Sequence, residues 1–170
     1  MMISLKQDSF SEEEILQLVS TLKDDDLAYF VETIPLPFEL LQQLKYHENV
    51  NVVRAVVKNP SACSCLLHEL IMDTDSGVRK NVVAHVNADE AVLHYSAFDL
   101  CEDVRAIVAT RPEIRPETVS KLVYDSSYVV RERIASCQKL EFEHVQFLIE
   151  SGYKNTLYER GFYPLQETID

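Results

Sequence analysis

Residues 104–125 read VRAIVATRPEIRPETVSKLVYD, and this stretch decides the fold. From Val104 to Ala109 aliphatic residues recur at helical spacing. Thr110-Arg111-Pro112 ends the run, because proline lacks a backbone N–H and clashes with the preceding helical turn. A second helix is predicted after Pro116, since proline suits the first turn of a helix and Glu117 beside it complements the helix dipole. Val119, Leu122 and Val123 then form an i, i+3, i+4 apolar stripe. Neither short helix can bury its apolar face alone, so units of this kind must stack on one another.

The rest of the chain supplies those units. The pair Val-Arg recurs at Val53-Arg54, Val78-Arg79, Val104-Arg105 and Val130-Arg131, with arginines spaced by 25, 26 and 26 residues. Six residues before each arginine stands an acid (Glu48, Asp73, Asp99, Asp125), and three residues after it an aliphatic (Val57, Val82, Val108, Ile134). Leu66, Leu67, Leu70 and Ile71 repeat the apolar stripe of the second helix. The flanks read as helical end caps. Ser11 with Glu14 has the pattern of a capping box, Asp24, Asp25 and Asp26 sit where a helix start favours acids, and Ser151-Gly152 is a stop signal after a helix over about 142–150. The expected organisation is an N-terminal helical cap over 1–36, repeats over 37–150, and a C-terminal cap with an aromatic tail over 151–170, in one continuous domain.

The register Val-Arg-x-x-Val-Ala, a proline-containing turn, Pro-Glu-x-Val-x-x-Leu and a closing Asp resembles the leucine-rich repeat variant, a short relative of the HEAT and armadillo repeats. The resemblance spans roughly Pro37 to Glu150 and is best at 104–125 and at 53–73, VRAVVKNPSACSCLLHELIMD. In the 78–99 unit the Val-Ala pair slides by one, to Val83-Ala84, and the turn has no proline. The resemblance implies an all-α, right-handed solenoid of about four to five helical repeats with helical end caps, and no single activity. In HEAT-like repeats an acid and an arginine at this separation pair within and between units. On that reading Glu48, Arg54, Asp73, Arg79, Asp99, Arg105, Asp125 and Arg131 form a structural ladder. Some members of the family carry an iron–sulfur cluster on a separate cysteine-rich amino-terminal segment. This chain has no cysteine before Cys63, so that property does not carry over.

Composition narrows the function. The net charge is −12, with ten acids and three bases in residues 1–50, twelve and eleven in 51–140, and six and two in 141–170. Such a chain favours basic partners and repels phosphate backbones at long range. No basic region leads into an apolar stretch, and no run of about eighteen apolar residues occurs, so we expect a cytoplasmic protein without a membrane span. In that compartment Cys63, Cys65, Cys101 and Cys137 are expected to be buried, reduced thiols. The histidines never pair as H-x-x-x-H or H-E-x-x-H, and there is no G-x-S-x-G and no P-loop. We therefore expect no metal, no cofactor and no catalysis.

The expected function is a non-catalytic module that binds a basic protein, in the manner of an inhibitor or immunity protein. The alternatives are nucleic-acid binding through an inner-face Arg/Lys patch and, behind it, a HEAT-like lyase. Arg111, Arg115 and Arg133 have no registered acid and form a candidate anion site. Asp24, Asp25 and Asp26, and the aromatic tail residues Tyr158, Phe162 and Tyr163, are the other candidate partner contacts, although the first reading of the tail is a cap over the last repeat.

Overall fold

The computed structural model describes residues 10–162, and every regular element among them is helical. Tyr163 lies outside the described residues. The chain divides into two compact units, Met1–Cys63 and Ser64–Asp170.

The first unit holds α1 (Glu12–Thr21), α2 (Asp24–Thr33), α3 (Phe38–Leu44) and α4 (Val50–Lys58). Helix α1 starts in the capping box expected from its sequence: Ser11 Oγ accepts the Glu14 N–H at 3.3 Å, and the Glu14 carboxylate accepts the Ser11 N–H at 2.8 Å. The three aspartates of residues 24–26 head α2, and Asp24 adopts a positive φ of 49°, which aspartate tolerates better than most residues. Helix α2 packs on α4, burying Leu27, Phe30 and Val31 in the same unit as Val52, Val56 and Val57.

The second unit alternates a longer set of helices, α6 (Ser76–Ala84), α8 (Glu102–Thr110) and α10 (Tyr128–Cys137), with a shorter set, α5 (Ser64–Leu70), α7 (Glu90–Ser96), α9 (Pro116–Val123) and α11 (Phe142–Leu148). A π-helical turn over Ile149–Tyr153 leads into α12 (Lys154–Glu159). Helix α6 packs on α8, α8 on α10, and α10 on α12, while α7 and α9 pack against the longer helices on either side of them. The core is what the stripes dictate: Val78, Val82, Val104, Val108, Val130 and Ile134 from the longer set, and Leu66, Leu67, Leu93, Leu122 and Leu148 from the shorter.

Local chemistry sets the breaks. Asn59 and Arg111 precede prolines and take extended ψ values of 135° and 127°, because a residue before proline is disfavoured in the α region. His85 ends α6 with ψ 141° although no proline follows it. Its Nδ1 accepts the Asn87 N–H at 3.0 Å, so a side chain makes the turn that proline makes elsewhere.

Gly152 has φ 98° at the joint between α11 and α12, and a Cβ there would meet no neighbour within 4 Å. The glycine is therefore required by backbone conformation and not by space. Gly152→Ala should cost roughly 1–2 kcal/mol, read as a lowered urea midpoint with unchanged slope.

Candidate functional site

The repeated arginines are bound in a relay. Arg79 Nε donates to Asp99 Oδ2 at 2.7 Å and its Nη2 to Oδ1 at 2.9 Å; Arg105 meets Asp125 with the same two bonds, 2.7 and 2.9 Å. The acid six residues upstream serves its own arginine differently, through its main chain. Arg79 Nη1 donates to the Asp73 carbonyl at 2.7 Å, Arg105 Nη1 to that of Asp99 at 2.6 Å, and Arg131 Nη1 to that of Asp125 at 2.6 Å. Each carboxylate also accepts the N–H two residues on, at Asp75, Cys101 and Ser127. Helix register explains the split: an acid in the turn before a helix faces the arginine of the previous longer helix, 20 residues back.

These pairs are sheltered, with 12% of the Arg105 side chain and 2% of the Asp125 side chain exposed. Burial pushes the Asp125 carboxyl up, but the Arg105 hydrogen bonds and the Ser127 N–H outweigh it and hold the group below its ordinary value; Asp99 is held down in the same way by Arg79 and the Cys101 N–H. Arg131 ends the row. Position 151 is a serine, Arg131 Nε is buried without a hydrogen-bond partner, and the guanidinium lies 5.8 Å from the centroid of the buried Tyr153 ring. In the first unit, Glu48 is exposed ahead of α4 and Arg54 is half-buried and engaged.

A second row, at the other helix ends, was not visible in the sequence. The residue that ends one longer helix donates to the last carbonyls of the helix before it. Asn59 Nδ2 reaches Val31 and Ile34 (2.5 and 2.8 Å), Arg111 Nη1 reaches Val83 and His85 (both 2.9 Å), and Gln138 Nε2 reaches Ala109 and Arg111 (2.8 and 3.0 Å). Arg160 closes the series on Ala135 and on Gln138, the latter at 2.8 Å. The last carbonyls of a helix have no partner within it, so the donors that reach Val31, Val83 and Ala109 satisfy groups that packing would otherwise strand, while the His85 carbonyl also takes the Ala88 N–H at 3.1 Å.

The candidate anion residues have separate surroundings. Arg111 is spent on the clamp and on Glu113 at 3.2 Å, and Arg115 Nε lies 2.9 Å from Glu90. Arg133 lines an open hollow of about 450 Å3 with Lys80, whose Nζ is 3.3 Å from Asp103. Asp24 accepts from Asn49 Nδ2 at 3.2 Å, while Asp25 and Asp26 are exposed. In the tail, Tyr158 and Phe162 are half-buried, with Lys154 and Arg160 over their respective rings at 5.2 and 5.1 Å.

One expectation needs correction. The cysteines are not buried thiols: Cys63 and Cys65 are disulfide-bonded, Cys101 is half-buried and Cys137 exposed, because all four fall in turns or at helix ends. Ser64, His68 and Asp89 have the residue types of a hydrolytic triad, but Ser64 Oγ donates to Asp89 Oδ2 at 2.5 Å and His68 Nε2 sits on that same oxygen at 2.9 Å. In a working triad the imidazole stands between hydroxyl and acid. Here Asp89 caps α7 by accepting the Val92 N–H, and the Ser64 hydroxyl, with that N–H, holds its carboxyl far below the usual range. Among the described residues no three His, Cys, Asp or Glu side chains converge as a metal site, and no helix is long and apolar enough to cross a membrane.

What sequence reasoning missed is apolar. Met72, Phe98 and Tyr124 are 65%, 59% and 53% exposed, and each directly precedes a relay aspartate. Their 26-residue spacing was the available signal; Tyr46, exposed in the first unit, holds the same register.

Arg105→Ala strands the Asp125 carboxylate and should cost about 3 kcal/mol at neutral pH by urea unfolding. Because the folded-state value of Asp125 is depressed, the stability it contributes is complete above the ordinary carboxylate range and disappears as pH falls through that lowered value. The gap between wild type and Arg105→Ala should therefore shrink below about pH 4. A gap independent of pH would show that the pair contributes by packing alone.

Matched against protein-family models, curated proteins and solved structures, the chain finds no counterpart in any of them.

Proposed function

We propose that this protein is a non-catalytic, protein-binding α-solenoid of the leucine-rich repeat variant and HEAT-like kind, its helix pairs forming stacked right-handed repeats, and that it binds a basic protein as an inhibitor or immunity-type partner. The observation that carries this reading is the row of large apolar side chains left exposed at one register, Met72, Phe98 and Tyr124. Contiguous exposed apolar surface is costly for a monomer and marks interaction sites, and aromatic residues are enriched where binding energy concentrates. The arginine row, the obvious alternative, is committed elsewhere: Arg79 and Arg105 are neutralised by Asp99 and Asp125. A phosphate backbone would find little uncompensated positive charge on them. With a net charge of −12, long-range attraction falls to basic partners.

Titration with random-sequence duplex and single-stranded nucleic acid at low salt should show no complex tighter than about 10 µM. Capture from the native host followed by mass spectrometry should return a basic protein whose affinity falls with salt. Nucleic-acid binding in the low micromolar range, lost in Arg133→Glu, would replace this reading.

A further inference from the structure

Of the four cysteines in the chain, Cys101 and Cys137 are free, so the disulfide-bonded Cys63 and Cys65 are joined to each other. Only Ser64 stands between them. In the chain-entropy account a disulfide stabilises a fold by restraining the unfolded chain, and the restraint grows with the length of the loop it closes. A ring closed over three consecutive residues restrains very little.

Nor does the bond set the local geometry, because other contacts already fix the chain on both sides of it. Ahead of Cys63, Asn59 Oδ1 accepts the Ser61 N–H at 2.8 Å and the Asn59 carbonyl accepts the Ala62 N–H at 2.9 Å. Ser64 opens α5 and donates to Asp89 Oδ2 at 2.5 Å, while buried Leu66, Leu67 and Leu70 seat that helix in the core. The two sulfurs also differ in access: Cys65 is exposed and Cys63 is half-buried. Exposed disulfides are the ones open to exchange, since an attacking thiolate must reach one sulfur while the other departs.

We propose that the Cys63–Cys65 disulfide is a thiol–disulfide exchange site for a low-molecular-weight thiol of the glutathione class, entered at Cys65. The thiolate attacks Cys65 Sγ, the Cys63–Cys65 bond breaks as the new sulfur–sulfur bond forms, and the electron pair leaves on Cys63 Sγ, which takes a proton from water. A second thiolate then attacks the small-molecule sulfur of this mixed disulfide. Cys65 Sγ leaves in turn as a thiolate, so the cystine is reduced to two cysteines and two small thiols are oxidised to one disulfide. The reverse steps close the ring with oxidised glutathione. This chemistry needs no protein partner and stands apart from the protein-binding reading.

The test uses the whole chain with Cys101→Ser and Cys137→Ser, so that only this pair is read. Reduced glutathione is added to the folded protein, iodoacetamide stops the reaction, and intact mass counts the cysteines that have opened. The pair should open in the folded protein at a rate within about tenfold of that in concentrated guanidinium, and oxidised glutathione should close it again. When Cys63→Ser is added, Cys65 should take up glutathione from oxidised glutathione at least about tenfold faster than Cys63 does in the matching Cys65→Ser chain. Open and closed forms should melt within about 2 °C of each other, which also shows that both are folded. Fragment mass spectrometry of the acid-trapped mixed disulfide in the unsubstituted chain should place glutathione on Cys65, a readout that needs no variant. Opening that requires guanidinium, uptake at Cys63 as fast as at Cys65, glutathione trapped on Cys63, or a melting temperature that drops further on reduction would each overturn the proposal.

Discussion

One aspartate with three duties carries the second unit. Asp99 accepts a bidentate pair from Arg79, takes the Cys101 N–H, and lends its carbonyl to Arg105. Asp125 does the same between Arg105, Ser127 and Arg131. A buried ion pair is worth its desolvation only when the remaining donors and acceptors are also satisfied, and this arrangement satisfies them. It also fixes geometry. Each aspartate is tied by its side chain to one longer helix and by its main chain to the next, so the offset between successive helices is set by a single rigid turn. Arg131 shows the same design where it stops: with no acid at position 151, the guanidinium rests on Tyr153, a ring stacked on Tyr128.

The row at the opposite helix ends solves a different problem with less fixed chemistry. Orphan carbonyls at a helix C-terminus need donors, and an amide serves as well as a guanidinium. Asparagine, arginine and glutamine therefore occupy equivalent places at 59, 111 and 138, and no residue-level repeat appears. Arg111 illustrates the consequence. By type and spacing it resembles a free cation suited to a ligand; in the fold its guanidinium is consumed by the carbonyls of Val83 and His85.

With both rows engaged in holding helices together, much of the positive charge of the longer helices is used internally. In the turns after the shorter helices Met72, Phe98, Leu100 and Tyr124 stay exposed, and so does Tyr95 on α7.

By itself, the sequence determined that the chain is helical, that it breaks at its prolines, and which apolar stripes enter the core. These depend on local rules: proline's missing N–H at Pro60, Pro112 and Pro116, the reciprocal cap of Ser11 and Glu14, and apolar spacing in stretches such as Val104–Ala109. It also marked the aspartates and arginines as a set, because that relay needs fixed residue types at fixed places. Only the tertiary structure decided who pairs with whom. The partner of Arg79 lies 20 residues ahead in the chain, in the next turn, and not at the acid six residues behind it. Nor could spacing reveal that Arg111 clamps carbonyls, that Ser64 and His68 share one oxygen of Asp89 instead of activating each other, or that Met72, Phe98 and Tyr124 stay more than half exposed. Exposure and partnership are properties of surfaces brought together from distant segments, and a linear pattern records which residues are available without recording what meets them.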